Sequence, residues 1–170
     1  MEPRGMFRGA IAAILIGLGL VTMLWTLSPG VAAEEATILV VDGQVTGGKA
    51  VAFDLARLKS LPAIQVTTMT PWTDGESTFE GVRMRDLLER LGAEGKAVIA
   101  DAVDDYRIAI PMNDIEDYDV IIAYAMNGRP LPDDDKGPLW IIYPYSEHAG
   151  LQKDIYFSRS VWQLNRLTVE

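Results

Sequence analysis

The 170 residues are enough for one domain with its own core, and 49% hydrophobic against 23% charged residues is ordinary globular composition. A formal charge of −9, with 24 acidic and 15 basic residues and no basic run, argues against nucleic acid or an anionic membrane surface as partner and leaves a small molecule or another protein. Zero cysteines and a single histidine exclude thiolate nucleophiles, iron–sulfur clusters, Cys-ligated molybdenum and Cys/His zinc sites.

The first 33 residues read as a secretory signal. Arg4 and Arg8 give the positive start, 10–27 the uncharged apolar run, and Val31-Ala32-Ala33 a small-residue cleavage site behind the Ser28-Pro29-Gly30 helix break. An uncleaved anchor is the alternative, because 9–27 carries no charge and approaches the roughly 20 residues that cross a bilayer. Either way residues 34–170 form a single domain outside the cytoplasmic membrane, most simply in a bacterial periplasm. Its charge is −10, the −9 of the whole chain less the +1 of Arg4, Arg8 and Glu2.

Residues 37–45 (TILVVDGQV) read as a strand turned by Gly47-Gly48. Leu55, Leu58 and Leu61 keep helical spacing behind Asp54 as N-cap, with Pro62 as stop, and 63–69 is a second strand. The stretch 70–81 (TPWTDGESTFEG) reads as a loop. Met84, Leu87, Leu88 and Leu91 then mark an amphipathic helix ended by Gly92. Strands follow at 98–103 and 106–110, a bend at 111–114, and a strand at 120–125 before the Asn127-Gly128 turn. An acidic loop at 130–138, a strand at 139–143, a polar loop at 146–153 and a last alternating strand at 161–169 complete about seven strands and two helices. This is an α+β domain.

Catalytic signatures are sparse. His148 stands in a polar loop with no G-x-S-x-G elbow, Asp133-Asp134-Asp135 lacks the alternating spacing of a calcium loop, and the phosphate-cradling glycine patterns are missing. What remains is a set of aromatics in loops and at strand ends, Trp72, Tyr106, Tyr143 and Tyr145, interleaved with Thr70, Thr73, Asp74, Asp105, Arg159 and Gln163. Ring faces with a few edge hydrogen bonds are the chemistry that holds a flat heteroaromatic ligand. Trp140 and Trp162 sit in strand patterns and read as core, whereas no alternation assigns Trp72 to a buried face. It is either a lid over the core or a surface for stacking.

The motifs in order, Gly43-x-Val45 after a strand, FDLARLKSLP at 53–62, VTTM at 66–69, FEGVRMRDLLERLGA at 79–93, DDYRIAIPMNDI at 104–115, IIAYAMNGRPL at 121–131, GPLWIIYP at 137–144 and SVWQLNRLTV at 160–169, resemble the molybdopterin-binding domain of the sulfite oxidase family. The resemblance implies that fold, with mixed sheets and few short helices. In catalytic relatives a cysteine after the strand at 63–69 ligates molybdenum, but here the region reads Met69-Thr70-Pro71-Trp72, and neither Thr nor Trp replaces a soft thiolate.

With TPWT at 70–73, FEGV at 79–82, DDY at 104–106, GPLWIIYP at 137–144 and VWQL at 161–164, the cysteine-free chain looks like the periplasmic, PruR-type pterin-binding subgroup. That resemblance implies a non-catalytic protein that binds a reduced pterin such as tetrahydromonapterin without metal. It further implies a relay to the periplasmic part of a membrane signalling protein governing cyclic di-GMP, a diguanylate cyclase/phosphodiesterase or a sensor kinase. A molybdopterin-dependent oxidoreductase and a ligand-free protein-binding module are the alternatives. On the pterin reading, Trp72 and Tyr106 are stacking or wall residues, Thr70 and Thr73 loop hydrogen bonders, Asp74 or Asp105 the edge carboxylate and Arg159 a donor, with Trp140 in reserve.

Overall fold

The computed structural model describes residues 36–170. The segment expected to be a signal or anchor lies outside the described residues. In chain order the elements are β1 (Leu39–Gly43), β2 (Val51–Phe53), α1 (Leu55–Lys59), β3 (Ala63–Met69), β4 (Glu76–Arg83), α2 (Met84–Arg90), β5 (Ala97–Ala102), β6 (Arg107–Pro111), α3 (Met112–Asp117), β7 (Ile121–Met126), β8 (Arg129–Pro130), β9 (Trp140–Ile142), α4 (Asp154–Arg159) and β10 (Leu164–Val169). The α+β expectation of mixed sheets with few short helices is what the chain forms.

Two sheets organise it. One has the order β2-β1-β10-β5-β6, with β1 and β10 parallel and the other pairs antiparallel. Their inward residues follow the period of two that defines a half-buried strand: Leu39 and Val41 in β1, and Val98, Ala100 and Ala102 in β5. The other sheet has the order β3-β4-β7, with β8 and β9 sharing the far side of β7. Residues 121–125 of β7 are all buried because both its faces are covered. Ile122 and Tyr124 join the main core, while Ile121 and Ala123 join Val66, Phe79, Trp140 and Ile142 on the opposite face. Half-buried Trp72 and Trp162 close that second cluster toward solvent.

The helices with sequence signals form where expected. Asp54 caps α1 by accepting from the Arg57 N–H at 2.6 Å. Helix α2 buries Met84, Leu87 and Leu88 and stops at Gly92, whose φ of +58° suits glycine.

Four expectations need correction. The loop expected over 70–81 is half strand: residues 70–75 turn, and Glu76–Arg83 is β4, paired to both β3 and β7. Its inward positions include Ser77 and Gly81, so the stretch lacks an apolar alternation. Gly81 is required there, because a Cβ would lie 2.2 Å from the Ile122 carbonyl oxygen. The bend at 111–114 opens helix α3, and a further helix, α4, follows the polar loop. The last strand begins at Leu164 rather than at 161, because Gln163 takes a φ of +48° and the register to β5 slips between Leu164 and Arg166.

Candidate functional site

The turn at 70–75 is held by its own hydroxyls. Thr70 Oγ1 accepts from the Trp72 N–H at 3.2 Å and lies 3.1 Å from Thr73 Oγ1, which also reaches the Gly75 carbonyl at 3.1 Å. The strand leading into the turn is tied down by Ser146, whose N–H donates to Thr68 Oγ1 at 2.9 Å and whose Oγ accepts from the Met69 N–H at 3.0 Å. Backbone and hydroxyls together therefore fix where Trp72 stands.

Trp72 meets three rings edge-on: Trp162 at 5.5 Å, Trp140 at 5.8 Å and Phe157 at 6.1 Å between centroids. The three tryptophans of residues 36–170 thus form one cluster that runs from Phe79 in the sheet to the surface. The outer side of this cluster is a cleft of about 400 Å³. Aromatic walls come from Trp72, Tyr106, Phe157 and Trp162, polar groups from Asp104, Asp154, Ser158 and Ser160, and no lysine or arginine lines it. Tyr106 is pinned across the cleft by donating from its hydroxyl to the Ser158 carbonyl at 3.0 Å. Asp104 accepts from the Tyr106 N–H at 3.2 Å and so holds the turn between β5 and β6. Neither the Trp72 nor the Trp162 indole N–H has a hydrogen-bond partner among the described residues, so both are available as donors.

The sequence-read residues distribute unevenly around this cleft. Trp72 and Tyr106 line it. Thr70 is buried and, with Thr73, braces the turn from behind. Asp74 is an exposed turn residue away from the lining. Asp105, held at φ +64°, faces a separate depression beside Asp101, Arg107 and Arg166, so the carboxylates the fold brings to the cleft are Asp104 and Asp154. Trp140 is fully buried with its indole N–H donating to the Ser160 carbonyl at 3.2 Å, which places it beneath Trp72 and off the lining. Arg159 also points away: its Nη1 donates to Asp114 Oδ2 at 2.7 Å, in a pair whose side chains are only 15% and 12% exposed.

Tyr143 donates to the same Asp114 oxygen at 3.1 Å. Burial, seconded by the Asp114 charge and hydrogen bond, pushes the Tyr143 phenol far above its ordinary range. Burial likewise lifts Tyr145 to about 12, against a small opposing effect of its hydrogen bond with Ser160. Both phenols are therefore neutral hydrogen-bonding struts behind the cleft wall.

Asp154, Phe157 and Ser158 escaped the sequence reading because α4 has only six residues and no capping side chain, and Trp162, read as core, is half-buried and lines the cleft. The available signal was the density of aromatic and small residues in YFSRSVW at 156–162. Elsewhere, His148 is exposed and edge-on to Tyr118 at 5.0 Å, and Asp135 pairs with Lys136 at 2.7 Å. Among the described residues no group of three or more His, Cys, Asp or Glu side chains is arranged to hold a metal ion.

The thiolate-bound metal of a molybdenum cofactor does not fit this turn. There is no cysteine, and the hydroxyls of Thr70 and Thr73 are spent on each other and on the loop backbone. The aromatic cleft, with ring walls and two carboxylates, has the lining chemistry that a flat heteroaromatic ring with donor edges calls for.

The family model for the oxidoreductase molybdopterin binding domain matches residues 29–169. A Bacillus subtilis (strain 168) protein, "Uncharacterized oxidoreductase YuiH", is 30% identical over 79 residues, 45% of this chain and 40% of that protein. The solved structure of the sulfane dehydrogenase SoxCD from Paracoccus pantotrophus superposes with a TM-score of 0.59 at 19% identity, covering 77% of this chain and 37% of that one, a likeness of fold. The matched regions span about two fifths of either relative's length.

Proposed function

Since the chain belongs to the oxidoreductase molybdopterin binding domain family, we propose that it binds a reduced pterin, such as tetrahydromonapterin, in the aromatic cleft without molybdenum, as a binding protein rather than an oxidoreductase. The observation that carries this reading is the pairing of four aromatic walls with two carboxylates and no cation. A cleft of about 400 Å³ falls within the roughly 300–1,000 Å³ usual for small-molecule sites. The 2-amino and ring N–H edge of a pterin offers donors that one carboxylate can accept in parallel, with Asp104 or Asp154 as acceptor. The free indole N–H groups of Trp72 and Trp162 suit the 4-oxo oxygen. A phosphate group would meet two carboxylates and no compensating charge, so an unphosphorylated pterin is the better match.

The names of the relatives favour an oxidoreductase, but thiolate-ligated molybdenum chemistry needs a soft ligand this chain lacks. The secretory pattern of residues 1–33 supports a periplasmic location, and the resemblance to the PruR-type subgroup is what implies a report of pterin to the outer domain of a membrane signalling protein controlling cyclic di-GMP.

The test is mass spectrometry of small molecules released on denaturing the purified protein, with molybdenum measured in the same sample. A pterin at near one per chain without stoichiometric molybdenum is the expected result. Stoichiometric molybdenum, or neither a released pterin nor binding of an added one, would sink the proposal.

A further inference from the structure

Away from the aromatic cleft, a wider groove of about 670 Å³ runs between α2, α3 and the end of β10. Its floor is apolar: Leu88 and Ile115 are buried and Met112 is half-buried. Its rim carries Glu89, Glu94, Glu116 and Glu170, all exposed and none in an ion pair among the described residues. Of the two cations on the rim, Arg85 is spent. It donates to the Glu116 carbonyl at 2.9 Å and pairs with Asp119 at 3.4 Å. On the rim itself Lys96 is left against four carboxylates, with Arg107 acting on Glu170 from outside the lining, so the groove joins an apolar floor to a negative edge.

A second observation ties the groove to the cleft. Met112, Ile115 and Glu116 of α3 line the groove, while Asp114 of the same helix turns inward to Arg159. Arg159 ends α4, and Asp154, Phe157 and Ser158 of α4 line the aromatic cleft. One buried ion pair therefore joins two short helices that each wall a different depression. With Tyr143 donating to the same carboxylate oxygen, neither charge can separate without leaving the other buried and unpaired. The pair is thus the direct link through which any displacement of α4 would reach α3.

We propose that this groove is the docking site for a cationic, amphipathic segment of a partner protein, and that the Asp114–Arg159 pair makes docking depend on cleft occupancy. The second half rests on the pterin-binding reading; the first does not. Basic side chains would answer the glutamate rim and an apolar one the Leu88, Met112 and Ile115 floor, a complementarity that favours this occupant over a second copy of an acidic chain.

The test uses fluorescence anisotropy of a labelled Lys-Leu-Leu-Lys repeat peptide with the intact protein, beside the same peptide carrying Glu for Lys. The Lys peptide is expected to bind and the Glu peptide not. Glu89→Lys with Glu116→Lys should weaken binding by about tenfold or more. Asp133→Lys with Asp134→Lys, the same charge change on the exposed 130–138 loop, should alter it by less than about twofold. Equal losses in both pairs, or no binding by the wild type, overturn the docking site. Saturating tetrahydromonapterin should then shift the peptide Kd by about fivefold or more. Asp114→Asn with Arg159→Gln, a neutral pair able to hydrogen-bond, should keep both affinities and lose the shift. A wild-type shift that is missing, or that survives in this double variant, overturns the coupling. If tetrahydromonapterin does not bind at all, the binding reading fails and the coupling with it, while the peptide comparison still decides the docking site.

Discussion

Trp72→Ala separates the two roles that the side chain combines. Trp72 is half-buried and loses three edge-on ring contacts, to Trp162, Trp140 and Phe157, when truncated. At about 0.5–1.5 kcal/mol each, discounted because one side of the ring faces the cleft, the destabilisation should be about 2 kcal/mol. For a domain of this size that is a fall in Tm of roughly 6–10 °C. The binding effect is separate. A stacked heterocycle loses about 1–3 kcal/mol when its aromatic platform is removed, which weakens Kd by roughly 5- to 150-fold. Trp72→Phe, which keeps a ring face, should fall between the wild type and Trp72→Ala in both. Thermal unfolding and calorimetric titration with tetrahydromonapterin, at a temperature where the variant is folded, measure the two effects on the same samples. A lower Tm with an unchanged Kd would make Trp72 a lid only and refute the stacking argument.

Further predictions follow from the surrounding groups. Asp104→Asn and Asp154→Asn should together weaken pterin binding by about 10- to 100-fold, since a charge-assisted hydrogen bond contributes about 1.5–3 kcal/mol. Asp74→Asn and Asp105→Asn, which lie off the lining, should each leave the Kd within about twofold in the same titration. Asp114→Ala strands the buried Arg159 guanidinium and the Tyr143 hydroxyl and should cost about 3–5 kcal/mol in urea unfolding, far more than Asp133→Ala on the exposed loop. Alkaline unfolding should also be steep. Burial raises the folded Tyr145 phenol to about 12 from an ordinary value of about 10, so the unfolded chain releases its proton first. The stability this burial protects is whole below about pH 10 and declines as pH rises toward 12, by about 3 kcal/mol from Tyr145, with Tyr143 adding loss in the same direction. Tyrosinate absorbance and circular dichroism should therefore change together; tyrosinate formation by Tyr145 before any loss of fold would contradict the burial argument.

Elements whose chemistry repeats at one period were readable from sequence. The leucines of α1 behind Asp54, the α2 stripe of Met84, Leu87 and Leu88, and the alternation of β5 each declare their buried side. Strand β4 did not, because its inward positions include Ser77 and Gly81, and the close approach to β7 that demands a glycine is tertiary information. The cleft was legible to a similar depth. Trp72 and Tyr106 stood out as aromatics without a core assignment, and both line it. Which acid accompanies them depends on a turn register that no composition specifies: with Asp105 at φ +64°, Asp104 is the one that lines the cleft. The position of Arg159 off the lining was hidden for a related reason. Without α4 in view, nothing indicated that Ser158 and Ser160 face the cleft while Arg159 turns back to a buried acid 45 positions earlier.

Titration of the purified, molybdenum-free protein with tetrahydromonapterin tests the central claim most directly. Saturable binding at one site per chain, accompanied by a change in the fluorescence of the Trp72, Trp140 and Trp162 cluster, is the expected result. No saturable binding, or binding that appears only after molybdenum is supplied, would contradict it.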